Sequence, residues 1–193
     1  MHNFCLVPWK EEPTPEHLLN CNDCGLKSHG SRMIWGEGNP HASIMIILDN
    51  PGAREDKEGR SFVCGTRKTL QQAANNVGLH EHNLYITYIL KRQPKRKYNK
   101  EVTRQICIEH LQSQLSEKQP RLLFCLGNIA VQSFFQNINI DVKSMRGKIH
   151  SFKGHNIAVA YHPLAIRRRP NLLNVFMADW NLVANYYFNN NKS

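Results

Sequence analysis

Two polar residues, Asp49 and Asn50, follow an apolar run of strand length and stand directly before a Pro51-Gly52 turn. Proline fixes its own backbone and restricts the residue before it, so the Asn50 side chain is held in a narrow range of directions. The Asn50 amide oxygen can hold a water molecule, and the Asp49 carboxylate can do so more strongly or act as a base. Both residues could instead bond only the backbone of their own turn, as Asx residues often do.

Further candidates for chemistry lie beyond other apolar runs. His162 stands beside Pro163 at the end of one run, where an imidazole can donate a hydrogen bond to a leaving group that develops negative charge. Phe62 follows a charged loop and can stack on a flat ligand or fill the core. Basic residues follow two of the runs, a pattern that suits a nucleic-acid backbone with one base drawn into a pocket. These basic residues are Lys91, Arg92, Lys95, Arg96, Arg167, Arg168 and Arg169.

The order of predicted elements explains how these residues meet. The sequence predicts strands over 43–48, 84–90, 122–126 and 156–161, and helices over 66–77, 101–118, 127–135 and 172–188. Their alternation predicts an α/β fold with a parallel sheet and helices on both faces. Ligands of such folds bind beyond the carboxyl ends of the strands, so residues 49–50, 91–92 and 162 should converge on one edge.

Composition bounds the class of protein. A chain of 193 residues with 41% apolar content fits one domain over 1–193, with an irregular lead-in over 1–20 and a tail over 189–193. The formal charge of +10 favours a polyanionic partner. No run approaches the about 18 apolar residues that a membrane helix needs, and the first residues lack a signal pattern. We therefore expect a cytoplasmic monomer without membrane contact.

The cysteines indicate a second kind of site. Six cysteines in a cytosolic chain of this length suggest buried thiols, a metal site, or both, rather than a disulfide framework. Cys21 and Cys24 form a tight CNDC pair, and Cys107 lies on the predicted helix over 101–118.

An ordered set of motifs resembles the uracil-DNA glycosylase superfamily, closest to family 4, the iron–sulfur type. The resemblance covers roughly residues 20–180. The motifs are CNDC, WGEGNPHASIMIILDNPGAREDKEGRSFV, LYIT, LGNIA, RGK and YHPLAIRRRP, in the family's order. The resemblance implies a three-layer α/β/α sandwich with a central four-stranded, mostly parallel sheet. It also implies an enzyme of base excision repair that flips a damaged base out of DNA and hydrolyses its N-glycosidic bond.

The resemblance assigns roles to individual residues. Phe62 matches the aromatic residue that stacks on uracil, and His162 matches the histidine near the leaving base. Leu164, with Ala165, matches the loop that wedges into the duplex in place of the flipped base. Pro51 and Gly52 match the turn that lines the base pocket.

The water-holding position differs from the family pattern. Asp49 stands where family 4 has Glu, and Asn50 stands where sister families have a water-positioning Asn or Asp. The role could therefore fall on either residue or on both, and we expect Asn50 to position the water and Asp49 to assist.

The base-reading position also differs. Tyr88 stands where the family has an Asn that reads uracil, and a phenol cannot replace both hydrogen bonds of an amide. Tyr88 could narrow the base pocket, change the base that is preferred, or close the pocket. We expect it to line the substrate site, and the excised base stays open as uracil or a related deaminated base.

The metal position is the third departure. The family's [4Fe–4S] cluster has four cysteine ligands; Cys21, Cys24 and Cys107 match three of them, and Arg92 replaces the fourth. Since a cubane cluster ordinarily needs four thiolates, three alternatives stay open: a cluster, a zinc site, or thiols without metal. His110, three residues after Cys107, could complete a Cys₃His zinc site, and Cys5 could supply a fourth thiolate.

Two functions are compatible with these residues. Asn50, Phe62 and His162 favour a monofunctional DNA glycosylase. Tyr88 and Arg92 favour the alternative, a catalytically impaired protein of the same fold that binds DNA or a lesion without turnover.

Overall fold

A mixed β-sheet forms the centre of the computed structural model, which describes residues 6–59, 63 and 65–190. Within these residues the sheet has seven strands in the order β1-β2-β4-β3-β5-β7-β6. The strands are β1 (Glu11–Glu12), β2 (Gly36–Gly38), β3 (Ile44–Leu48), β4 (Leu84–Tyr88), β5 (Leu122–Leu126), β6 (His150–Phe152) and β7 (His155–Ala160).

The four central strands are parallel, and the other three pair antiparallel towards the edges. The α/β class and the mostly parallel pairing are thus confirmed, whereas the expected count of four strands is wrong. The additional strands are only two or three residues long, too short to carry a readable hydrophobic period. One of them, β1, comes from the lead-in that we expected to be irregular.

The helices that cover the sheet are α1 (Ala53–Glu58), α2 (Gly65–Asn76), α3 (Lys100–Lys118), α4 (Asn128–Phe135), α5 (Val142–Met145), α6 (Pro163–Arg168) and α7 (Leu173–Asn190). The four predicted helices correspond to α2, α3, α4 and α7, with ends that differ by one or two residues. The short helices α1, α5 and α6 were not predicted. Helix α7 continues into the expected tail as far as Asn190.

Side chains of the buried strands alternate between two helical layers. On β3, Ile44, Ile46 and Leu48 pack in one core cluster with residues of α2, α6 and α7. Met45 and Ile47 pack in the other, with residues of α3 and α4. The predicted three-layer α/β/α sandwich is therefore confirmed, and its two covered faces explain why the central strands read as continuous apolar runs.

The parallel register brings the strand ends to one edge. Leu48 lies opposite Tyr88, and Leu126 lies opposite Ala160. Backbone pairing continues past β3, since the Leu90 N–H donates to the Asp49 carbonyl at 2.9 Å. Residues just after β3, β4, β5 and β7 therefore share this carboxyl edge.

Among the helices of the described residues, none is both long and apolar enough to cross a membrane.

Candidate active site

A cleft of about 420 Å³ opens beyond the carboxyl ends of β3, β5 and β7. Asp49 and His162 line it, together with the turn at Gly127, and Leu164, Arg168 and Arg169 of the α6 region complete one wall. The convergence of strand ends that the sequence predicted is therefore seen for residues 49 and 162.

Asp49 and His162 contact each other in this cleft. The Nε2 atom of His162 lies 3.4 Å from Oδ1 of Asp49, with the side chains 22% and 31% exposed. His162 also caps α6, because its Nδ1 accepts a hydrogen bond from the Leu164 backbone N–H at 3.1 Å. A neutral imidazole that accepts at Nδ1 carries its hydrogen on Nε2, so His162 presents an N–H to the Asp49 carboxylate.

The Asp49 carboxylate is stabilised in its charged form. Burial by itself disfavours the charge, but the hydrogen bond from His162 and the backbone N–H groups of Asn50 and Asp49 outweigh it. The pKa of Asp49 is therefore lowered from its ordinary value. A carboxylate that stays ionised at neutral pH can accept a proton or orient a water molecule.

Gly127 makes the approach of His162 possible, a role that sequence reasoning missed. Its φ of 95° favours glycine, and a Cβ there would lie 2.9 Å from the Cβ of His162. The signal was present in the sequence as a glycine directly after a buried strand, but we read it only as the start of a helix.

Asn50 does not line the cleft with Asp49. It is half-buried, and its Nδ2 donates to the Pro51 carbonyl at 2.8 Å and to Oε1 of Gln93 at 3.0 Å. Pro51 is buried, and the Glu55 carboxylate lies against Gly52, so a Cβ there would have to displace that flexible side chain. Phe62 and Cys5 lie outside the described residues.

Tyr88 lies in the core rather than in the cleft. It is 1% exposed, and its hydroxyl is hydrogen-bonded to Glu37 and Arg67, which also form an ion pair with each other. Burial raises the pKa of Glu37 against the opposing charge of Arg67, and burial raises the pKa of Tyr88 well above its usual range. The Tyr88 hydroxyl is therefore engaged in the core, and its contact with substrate stays a prediction.

Two of the predicted DNA-binding residues are buried and require correction. Lys91 is 1% exposed, and its Nζ donates to Oγ1 of Thr87, the Tyr88 carbonyl and Oε1 of Gln114. Arg92 is 7% exposed and donates to the carbonyls of Ser31 and Leu19. Neither side chain reaches a surface where a phosphate could bind.

The remaining basic residues are exposed, although two of them have partners. Lys95 forms an ion pair with Asp56 at 2.7 Å, and the guanidinium of Arg167 lies against Gly65 at the start of α2. Arg168 and Arg169 line the cleft, and Arg96 follows the end of β4 on the exposed loop.

The predicted metal-ligating residues form two contacting pairs. Sγ of Cys21 lies 3.4 Å from Nε2 of His110, and Cys24 hydrogen-bonds with Cys107. The hydrogen bond from Cys107 lowers the pKa of Cys24 to about 6 against the opposing effect of burial, and the nearby Arg92 charge contributes to the shift. The same hydrogen bond and burial raise the pKa of Cys107.

These residues do not fit the four-thiolate cluster that the resemblance implies. The fourth position holds the Arg92 guanidinium, which donates to backbone carbonyls and cannot ligate iron as a thiolate does. In the described parts of the chain, no group of three or more His, Cys, Asp or Glu side chains is arranged to hold a metal ion. A zinc site that uses His110 therefore stays a prediction.

We expect Lys91→Met to destabilise the protein. Methionine keeps most of the volume but leaves three buried acceptors without their donor, at a cost of about 1–3 kcal/mol. Urea denaturation at pH 7 measures this cost. Lys95→Met is the matched control, because the Lys95 side chain is 43% exposed and its partner Asp56 keeps a second donor in the Arg32 backbone N–H. Equal destabilisation by the two substitutions would contradict a structural role for Lys91.

We expect Arg92→Cys to increase the iron content of the protein. A thiol at this position completes the set of four cysteines, so anaerobic addition of iron and sulfide should give absorbance near 400 nm, an expectation that rests on the resemblance. Arg92→Ser is the matched control, since serine has nearly the size of cysteine but no thiol. Equal iron in the two variants would show that the fourth ligand lies elsewhere, with His110 the first to test.

Comparison with known proteins agrees with the fold. Residues 35–183 match the family model of the uracil DNA glycosylase superfamily. The type-4 uracil-DNA glycosylase of Sulfurisphaera tokodaii is 31% identical over 178 residues, which cover 88% of this chain and 81% of the relative. The type-4 enzyme of Saccharolobus solfataricus is 30% identical over a stretch that covers 87% of this chain and 82% of the relative. The type-4 enzyme of Archaeoglobus fulgidus is 28% identical over a stretch that covers 84% of this chain and 86% of the relative. The resemblance is therefore confirmed, and the chain belongs to the uracil-DNA glycosylase superfamily as a divergent member of family 4.

Proposed function

We propose that this protein is a monofunctional DNA glycosylase that hydrolyses the N-glycosidic bond of uracil or a related deaminated base. The observation that carries the proposal is the contact between Asp49 and His162, which line one cleft at the carboxyl edge of the sheet. A carboxylate with a lowered pKa beside an imidazole N–H provides an acceptor for water and a donor for an anionic leaving group.

The proposed reaction uses water rather than a lysine as the nucleophile. The water oxygen forms a bond to the sugar C1′, and the C1′–N bond breaks with its electron pair on the departing base. Asp49 accepts the proton of the water, and Asn50 holds the water through its Oδ1 from the turn that follows Asp49. Once Asp49 is protonated, the Nε2–H of His162 is released from the carboxylate and stabilises the negative charge of the base. The products are the free base and an abasic site in DNA.

The proposed DNA-binding surface consists of the exposed basic residues around the cleft. Arg168 and Arg169 lie on its wall, and Arg96 extends the positive surface from the loop after β4. Leu164, half-buried at the start of α6, is proposed to insert where the base leaves the duplex. Phosphate contacts of this kind supply affinity and orientation without reading sequence.

The buried hydroxyl of Tyr88 is the observation that favours the second candidate, a protein that binds DNA or a lesion without turnover. A base pocket needs polar groups that match the Watson–Crick edge of a flipped base. The Tyr88 hydroxyl is already engaged by Glu37 and Arg67, so another group has to supply that recognition.

We expect the protein to release base from oligonucleotides that contain uracil, hypoxanthine or xanthine, tested separately and in both strand states. Alkali converts each abasic product to a strand break that gel electrophoresis quantifies. The double variant Asp49→Ala, Asn50→Ala loses the water-activating groups and should cleave at background level, whereas Asn185→Ala on the exposed side of α7 should retain full activity. Wild-type cleavage no higher than that of the double variant, for every lesion, would support binding without turnover.

We expect the double variant Arg168→Ala, Arg169→Ala to bind DNA more weakly and with a smaller salt dependence. Each lost phosphate contact lowers the slope of log K against log salt concentration by about 1. Fluorescence anisotropy over a salt series measures this slope. The control is the double variant Arg121→Ala, Lys153→Ala. It removes the same amount of charge from positions just before β5 and β7, at the edge of the sheet opposite the cleft. Equal weakening by both double variants would indicate a general charge effect instead of a binding surface.

A further inference from the structure

The amide of Asn50 is held by two acceptors from different parts of the chain. Its Nδ2 lies 2.8 Å from the Pro51 carbonyl oxygen and 3.0 Å from Oε1 of Gln93. Gln93 is brought to this position by the backbone pairing that continues past β3 and β4, in which Ile89 and Leu90 donate to Leu48 and Asp49. The contact therefore depends on the register of the central sheet and not on a loop alone.

Acceptor-only partners fix the orientation of both amides. A backbone carbonyl cannot donate, so the atom of Asn50 that faces the Pro51 carbonyl must be the nitrogen. Gln93 is fixed in the same way, because its Nε2 donates to the Pro94 carbonyl at 3.4 Å and its oxygen is then directed to Asn50. Both amide hydrogens of Asn50 are used, and no donor in the described parts of the chain binds its Oδ1.

We propose that Gln93 is a positioning residue that fixes the Asn50 amide through Nδ2, so that Oδ1 is the atom left to accept from the attacking water. This inference rests on the proposed function, since it needs Asn50 to bind that water. Gln93 itself touches neither water nor substrate. Its role is to occupy the second hydrogen of Asn50 Nδ2, so that a half-turn of the amide would cost a hydrogen bond.

The orientation decides whether the bound water is a nucleophile. Water that donates to Oδ1 keeps its oxygen lone pairs free to attack the sugar carbon. Water that accepts from Nδ2 has a lone pair engaged, and its hydrogens are directed away from Asn50. Because the terminal torsion of an Asn side chain is intrinsically broad and nearly two-fold, a single acceptor at Pro51 leaves the flipped state accessible. The second acceptor at Gln93 disfavours it.

Two substitutions separate the acceptor from the bulk of the side chain. Gln93→Met keeps the length and removes the acceptor, whereas Gln93→Glu keeps an acceptor oxygen at the same reach. Single-turnover excision from a uracil-containing oligonucleotide gives the rate constant and the half-saturating protein concentration for each variant, and thermal unfolding reports on folding. We expect Gln93→Met to lower the rate constant roughly tenfold, with half-saturation unchanged, because a reacting group is misplaced after binding. Gln93→Glu should stay within about threefold of wild type.

The outcomes separate this inference from the proposed function. An active wild type with full activity in Gln93→Met, or with equal losses in Gln93→Met and Gln93→Glu, overturns the positioning role alone. The positioning role is also overturned if the loss of activity in Gln93→Met comes from a higher half-saturating protein concentration or from an unfolded protein. A wild type that excises none of the tested bases overturns the proposed function and this role with it.

Discussion

The geometry of the candidate site depends on the parallel pairing of β3 with β4 on one side and β5 on the other. Both faces of β3 are covered, with Ile46 in one core cluster and Ile47 in the other. A slip of one residue would exchange these side chains between the two helical layers, so the register is fixed by the burial of both faces. Because Asp49 and Asn50 directly follow β3, their positions relative to His162 and Gln93 are set by the hydrophobic core.

The same pairing explains why part of the positive charge is not available to DNA. Just after β4, the Lys91 carbonyl accepts a hydrogen bond from the Ile34 N–H, and Arg92 forms a backbone bridge with Met33. Both residues are therefore paired with the segment that follows Cys21 and Cys24. Their side chains consequently bind acceptors in the interior. Arg92, which contacts carbonyls at residues 19 and 31, joins the cysteine-bearing segment to the sheet at the position where the family has a cluster ligand. The hydrogen bonds of the Arg92 guanidinium thus provide a noncovalent connection between that segment and the sheet.

Sequence reasoning located the strong elements and the residues at their ends, because long buried strands and amphipathic helices leave clear patterns. The four central strands, the four long helices and the meeting of Asp49 with His162 were predictable in this way. The edge strands were not, since β1 and β2 have too few residues to show a period. Gln93 was hidden for a different reason: it lies within KRQPKRKYNK, whose basic composition indicated a nucleic-acid-binding segment. The two partners of the Tyr88 hydroxyl could not be predicted from the sequence either, because Glu37 and Arg67 are distant in the chain and only the fold brings them together.

The division of work between Asp49 and Asn50 follows from the different contacts of their side chains. Directly after β3, the Asp49 side chain contacts His162 and the Asn50 side chain contacts Gln93. The two groups are therefore not interchangeable, although they are neighbours in the chain. A carboxylate at position 50 would lie away from the imidazole and next to the oxygen of Gln93, where like partial charges repel. This site pairs its carboxylate with the imidazole donor and its amide nitrogen with two acceptors.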